Sequence, residues 1–287
     1  QITPSQAKKA SAHITALQME WLSASAMRAL DDEALGRFSR RLPWGSYGML
    51  VRASLTAPTL GVALARRSRH HGLLTDDIHL QVSTEAGVAQ LQLHENRPLG
   101  ILQEFAVVSV LRNALGVACW LTDSRIPLLQ TTLRFAPPPH AGSYRVLFDG
   151  PTQFNAPGHS LQFDAGYLSL PVRRDEAALQ RMLQRALLLT VRPYRRDRLL
   201  VEKVRQVLAE RSVQARNADD VATHLGLSTR TLHRQLKEEG ASLQQLKDEV
   251  RSARARELLQ RSARPVKQVA ADVGFRNEKS FIRAFRG

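Results

Sequence analysis

The 287-residue chain predicts a mixed α+β domain over residues 1–190, a linker over 191–199 and an all-α domain over 200–287 with two helix-turn-helix motifs. Three observations carry this division. VATHLGLSTRTLHRQL at 221–236 returns as VAADVGFRNEKSFIRAF at 269–285, each copy a short helix, a glycine turn and a second helix. Between Ile78 and Leu93 apolar and polar residues alternate, the period of half-buried strands, before helical spacing resumes. The Arg-rich stretch VRPYRRDR at 191–198 contains Pro193, which interrupts any continuous helix.

The elements follow in order. Residues 4–30 read as helix, with Ile14, Leu17, Trp21, Leu22 and Leu30 as apolar positions. LPWGSYG at 42–48 is a Pro/Gly break. Residues 47–71 read as one or two helices ending in the basic run Arg66, Arg67, Arg69, His70 and His71. IHLQV and VAQLQLH around TEAG make a hairpin. Residues 100–120 have helical spacing through Leu102, Phe105, Val108, Leu111 and Leu115. LLQTTLRFA and YRVLFDG read as strands separated by the corner Pro137–Pro139. Phe154, Leu161, Phe163 and Leu168 follow among Gly/Pro turns, as core or as the wall of a ligand cavity, and residues 175–190 resume helix.

In the repeat, Ala222 matches Ala270 and Gly226 matches Gly274 at a spacing of 48. Leu232 matches Phe281, Arg234 matches Arg283 and Leu236 matches Phe285 at 49, so the second copy has one extra residue after its turn. The small alanines let two helices cross closely, and each glycine permits a left-handed turn. Ser228 and Asn277 are the N-caps expected for the second helices. Leu225, Leu227, Leu232 and Leu236 form the first small core; Val269, Val273, Phe275, Phe281 and Phe285 form the second. A helix-turn-helix lays its second helix in the major groove of DNA. The candidate DNA-contacting residues are Thr229, Arg230, His233, Arg234 and Lys237 in the first copy. In the second they are Arg276, Asn277, Glu278, Lys279 and Arg283. The alternative for each is a solvated helix face, and for Glu278 an ion pair with a neighbouring cation.

The connector 242–262 lacks Gly and Pro and carries apolar marks at Leu243, Leu246, Val250, Ala253 and Leu258. Twenty helical residues span ~30 Å, close to the ~34 Å between adjacent major-groove faces on one side of DNA. The connector therefore predicts a rigid spacer between two readers.

Composition agrees with a polyanionic partner. The net charge is +15, with 18 Lys and Arg against 11 Asp and Glu in residues 200–287. The basic excess extends over the rest of the chain, so charge alone does not single out double-stranded DNA. One cysteine, Cys119, excludes an internal disulfide framework and suits a reducing cytoplasm. In its apolar run it reads as a buried structural thiol, with a redox sensor as the alternative. No membrane span is expected, and the start, QITPSQAKKA, has no apolar signal core. His70, His71, His79, Asp76 and Asp77 lack metal-ligand spacing, so no metal site is expected. No GxSxG, phosphate loop or HExxH is present. Neither a catalytic residue nor a cofactor is expected.

ATHLGLSTRTLHRQLKEEG, ARELL and PVKQVAADVGFRNEKSFIRAFRG resemble the DNA-binding domain of the AraC/XylS family of bacterial transcription regulators across residues 200–287. YRVLFDGPTQFNAPGHSLQFDAGYLSLPV resembles the arabinose-binding-like sensor domain of the subgroup that includes ornithine and virulence regulators. Asp149 departs from that pattern beside Gly150. The resemblance implies a cytoplasmic regulator, with a domain that senses a small-molecule effector or dimerises, acting on promoter DNA through RNA polymerase. The ligand-binding residues are left open. Helix 100–120 is the candidate homodimer surface, with Leu111 and Leu115 as exposed marks; a wholly internal helix is the alternative. The rival functions are an enzyme, or an architectural protein, with a DNA-targeting C-terminal domain.

Overall fold

The computed structural model describes residue 8 and residues 14–186, 197–210, 217–261, 264–275 and 281–282. The chain forms two compact units, Gln1–Arg195 and Arg196–Gly287. The first is mixed α and β, and the second is helical.

The first unit opens with helix α1 (Ala16–Leu30), whose start is a capping box: Gln18 N donates to Thr15 Oγ1 at 3.2 Å and Thr15 N to Gln18 Oε1 at 2.9 Å. Apart from Lys8, the helix predicted before Ile14 lies outside the described residues. The chain leaves α1 through Asp31 in a left-handed conformation. Two carboxylates then hold the following loop. Asp32 accepts from the amides of Ala34, Gly36 and Leu42 at 2.8–2.9 Å. Glu33 accepts from Gly45 N at 2.9 Å and Tyr47 N at 2.7 Å, serving the N-terminal amides of helix α2 (Ser46–Ser54), which has no side-chain cap of its own. Helix α3 (Leu60–His71) follows.

Strands β1 (Ile78–Glu85) and β2 (Val88–Glu95) form the expected hairpin, with Glu85 opposite Val88. Ala86 and Gly87 both have positive φ, as a two-residue turn of the favoured twist requires. Three further strands, β3 (Gln130–Thr132), β4 (Thr152–Gln153) and β5 (His159–Asp164), complete a sheet of order β1-β2-β5-β3-β4. Among the described strands only the β3–β4 pair is parallel. Leu91 faces Leu161 and Ala89 faces Phe163 across the β2–β5 ladder, and all four are buried. Leu161 and Phe163 are thus sheet core.

Helix α4 (Gln103–Thr122) lies against α3 and β5. With the preceding turn Gly100–Leu102 it is long and apolar enough to cross a membrane by composition, yet most of its surface is inside the unit. Leu111 and Leu115 are 0% and 7% exposed, which removes them as marks of a dimer surface. Cys119, on the same helix, is buried, and burial pushes its thiol up to about 11, so the thiolate is not populated near neutral pH.

YRVLFDG is not a strand: Tyr144–Leu147 form a helical turn, α5. Tyr144 and Phe148, four residues apart, are both buried while Val146 faces solvent. The Tyr144 hydroxyl donates to Glu104 at 2.7 Å, so a tertiary anchor selects the helical spacing. Phe154 packs edge-on against Tyr144 at 5.1 Å. Asp149 pairs with Arg125, whose Nε lies at 2.7 Å. Helix α6 (Glu176–Leu183), capped by Asp175, is shorter than the predicted 175–190, whose last four residues lie outside the described ones.

Candidate nucleic-acid interface

The second unit begins with helix α7 (Leu199–Glu210), buried at Val201, Val204, Val207 and Leu208. It is followed by α8 (Ala218–His224) and α9 (Thr229–Glu238). Asn217 and Asp220 form a capping box at the start of α8: Asp220 N donates to Asn217 Oδ1 at 2.8 Å and Asn217 N to Asp220 Oδ2 at 3.2 Å. Ser228 caps α9 as predicted, accepting from Thr231 N at 3.1 Å. Val221, Ala222, Leu232, Leu236, Leu243 and Leu246 pack with α7 into one core. At ~1.5–3 kcal/mol for each fully buried Leu or Val side chain, this small core is enough to hold α9 in place.

Leu232 and Leu236 fix which face of α9 turns inward. Arg230, His233, Arg234 and Lys237 recur at i, i+3, i+4 and i+7 on the other side, and all four are exposed. Arg234 meets Glu238 at 3.7 Å along this face, with both side chains more than 60% exposed. Such a pair contributes little and yields readily to a phosphate or a base. Thr229 is placed differently: its hydroxyl donates to Asp219, tying α9 to α8.

The second copy repeats the turn at the level of backbone hydrogen bonds. Leu227 N reaches Ala222 O at 2.8 Å, and Phe275 N reaches Ala270 O at 2.9 Å. Gly226 N bonds Thr223 O at 3.1 Å, and Gly274 N bonds Ala271 O at 3.0 Å. Gly226 and Gly274 have φ of 66° and 84°, a region that favours glycine. Helix α11 (Val266–Asp272) supplies Val269 and Ala270 to a second core with Ala255, Val273 and Phe281, in which the Phe275 and Phe281 rings meet edge-on at 5.4 Å. Arg276, Asn277, Glu278, Lys279 and Arg283 lie outside the described residues, as does most of the linker 191–199.

Helix α10 (Leu243–Arg261) belongs to both cores. Leu243, Leu246 and the half-buried Val250 pack on the first, Ala255 and Leu258 on the second. Ala255 is the buried alanine, not Ala253, which is exposed; the inward face is shifted by two positions because the helix changes partner midway. Ser242 and Gln245 close its N-terminus with reciprocal bonds of 3.3 and 3.0 Å. Its 19 residues span about 28 Å.

The sequence reading missed α7 as a structural third helix, although Val201, Val204 and Leu208 carry helical spacing. It also missed Glu239. This side chain is 8% exposed and accepts from Leu200 N at 3.2 Å and Val201 N at 2.8 Å, clamping α7 to the end of α9. Burial nevertheless pushes its carboxyl up to about 7. A carboxyl raised on folding contributes stability that is present below its ordinary value of 4.5 and is lost as pH rises through 7. Glu239→Gln is therefore expected to flatten the fall in stability between pH 5 and 8, by on the order of 2 kcal/mol relative to wild type. Chemical denaturation of both proteins across that range measures it. Parallel pH profiles would remove Glu239 as the cause.

Comparison with known proteins adds to this geometry. Residues 1–172 match the family model described as the arabinose-binding domain of AraC transcription regulator, N-terminal. Residues 221–287 match a helix-turn-helix domain model. The chain is 28% identical over 274 residues to an ornithine utilization regulator of Pseudomonas aeruginosa, covering 94% of this chain and 80% of that protein. The crystal structure of the transcriptional regulator CdpR from Pseudomonas aeruginosa is 22% identical, with 98% of this chain and 90% of that one covered and a TM-score of 0.39.

Proposed function

The chain belongs to the AraC family of DNA-binding transcription regulators, and we propose that it is an effector-responsive activator that reads two adjacent major-groove sites with one chain. The observation that carries this reading is α10: one continuous helix whose two ends are built into the two helix-turn-helix cores. In this reading Arg230, His233, Arg234 and Lys237 of α9 supply base and phosphate contacts, and Thr229 contributes its backbone N–H to a phosphate at the helix N-terminus. The internal repeat assigns the same work to Arg276, Asn277, Glu278, Lys279 and Arg283. Phosphate contacts provide most of the affinity and base edges the selectivity.

Residues 1–190 serve as the sensor, 191–199 as the linker, and activation proceeds through contact with RNA polymerase at the promoter in the cytoplasm. The exposed Ile101, not Leu111 and Leu115, is the apolar part of the 100–122 segment open to a second copy in a homodimer. No catalytic role is assigned to either unit.

The test is a titration of the full chain against duplex DNA by fluorescence anisotropy at several salt concentrations. With ~6 phosphates neutralised, log affinity should fall against log salt with a slope of about −5. Arg234→Ala should weaken binding to the preferred duplex by roughly 1–3 kcal/mol and relax selectivity at one position if it grips a guanine. If it grips a phosphate, the loss is equal on all sequences. A flat salt dependence, or an Arg234→Ala protein indistinguishable from wild type on every duplex, would refute the assignment of this face.

A further inference from the structure

The sensor unit buries two arginines whose guanidiniums keep unused donors. Arg67 is 2% exposed in the middle of α3, and burial pulls its guanidinium down to about 10. Its Nη2 donates to Asn113 Oδ1, while Nε and Nη1 have no partner. Arg37 comes from the loop after α1. Its Nη1 donates to Ser109 and its Nη2 to Glu33 O at 3.0 Å, and its Nε is buried without a partner.

His71, within electrostatic reach of both, is fully buried, with neither ring nitrogen bonded. Its ring lies 6.2 Å from Phe38 and 6.1 Å from Tyr47, and the Arg67 guanidinium lies 5.8 Å from the Tyr47 ring. Both arginines act electrostatically on His71, which burial and those charges lower to about 3, so the imidazole is neutral and donates from one nitrogen only. The carboxylates on this side, Asp32 and Glu33, act electrostatically on Arg37, and their oxygens accept from backbone amides of the loop and of α2. Among the described residues Arg67 forms no ion pair.

An isolated buried charge is costly, and a cluster of unused donors around it is costlier still. A protein that only needed to fill this space would do better with a Leu or Met at 67. We propose that this cluster is the binding site for the carboxylate of a small organic acid, held by Arg67 and Arg37 with the rings of Phe38, Phe105 and Tyr47 around its apolar part. Carboxylate is the matching chemistry because the open groups are donors, and its two oxygens can accept from the open N–H groups of the two guanidiniums. Phe105 lies 4.9 Å from the Arg37 guanidinium, so an apolar wall adjoins the charged end. The site deepens the effector-responsive reading above, and its regulatory consequence rests on that reading.

The experiment uses the full chain. Thermal unfolding is followed in an anion-poor buffer with hexanoate, with hexanamide as its uncharged counterpart, and with inorganic phosphate. Hexanoate is expected to raise the midpoint of wild type in a saturable way and hexanamide to leave it unchanged. Arg67→Met should abolish the hexanoate shift while being at least as stable as wild type without added anion. Where Arg67→Met fails to fold, Arg37→Gln, which removes the second guanidinium, should weaken the shift by at least tenfold in hexanoate concentration.

An equal shift in wild type and both variants would mean general anion binding to a basic protein and overturns the site. A shift with phosphate but not hexanoate overturns the carboxylate assignment. No shift in wild type, with Arg67→Met merely destabilised, makes Arg67 structural and also overturns it. A second measurement separates the two readings: anisotropy with duplex DNA, with and without hexanoate. Binding of hexanoate with no change in DNA affinity would leave the site standing and remove its role as effector input.

Discussion

Val250→Pro is expected to abolish the advantage of a two-site duplex over a one-site duplex. Val250 is the last residue of α10 that packs on the first core before the helix passes to Ala255 and Leu258 in the second. Proline there removes the bond from residue 250 to the carbonyl of Leu246 and drives its ring against that turn, costing ~3 kcal/mol or more in a helix interior. Each half keeps its own core, so the variant should retain most of its helicity and weak, sequence-indifferent binding. What it loses is the fixed distance between two tethered readers, and tethering is worth about 10²–10⁴ in affinity only when both sites can be engaged together. Affinities are measured for a duplex with both half-sites and for duplexes with either one scrambled. Wild type should fall sharply on each scrambled duplex, and the variant should barely distinguish the three. Wild-type discrimination in the proline variant would mean that the two motifs do not act as a rigid pair.

Gly150→Ala should have the largest effect on stability of any single methyl group added to the sensor unit. Gly150 has φ of 154°, and a Cβ there would stand 2.4 Å from Leu128 O. That carbonyl belongs to a backbone that cannot step aside: Leu128 N is bonded to Asp149 O at 3.2 Å and Leu129 N to Gln162 O, in β5, at 2.8 Å. Backbone strain and the clash together should cost about 3 kcal/mol or more. For a unit of this size the transition should fall by roughly 6–12 °C. Calorimetry of the full chain should show this in the sensor transition while the helical unit keeps its DNA binding. A loss under ~0.5 kcal/mol would mean that the chain does not pass this closely.

Much of the helical unit was legible because its constraints are local and stated twice. A glycine where the turn needs positive φ, an alanine where helices cross and a serine where an amide is orphaned are readable without knowing the rest of the fold. The repeated bonds onto Ala222 and Ala270 are the physical form of that repetition. The hairpin was legible for the same reason, since alternation and a two-residue turn determine its register.

The errors have one character. YRVL reads as strand by composition, but the Tyr144–Glu104 bond and the shared burial of Tyr144 and Phe148 select a helical turn. Leu111 and Leu115 read as either open to a second copy or internal, and the cover over α4 selects the second. Arg67 and His71 read as the tail of a basic run. They instead continue the inward stripe of Leu60, Ala63 and Leu64, a register that could have pointed to them. A basic residue on a buried stripe looks like a surface residue until its neighbours are known.

By itself the sequence determined the two domain types, the doubled motif, its Ser228 cap and two turns and the exposed cationic stripe of α9, because these depend on residues within a few turns of one another. Only the tertiary structure decided that α10 is shared by two cores, that Glu239 clamps α7, and that Arg37, Arg67 and His71 are buried together with polar atoms left unused. Burial and pairing are sums over segments distant in sequence: residue 37 meets residue 109, and residue 67 meets residue 113. The cost of removing a charge from water is set by everything that surrounds it, and local pattern does not contain that information.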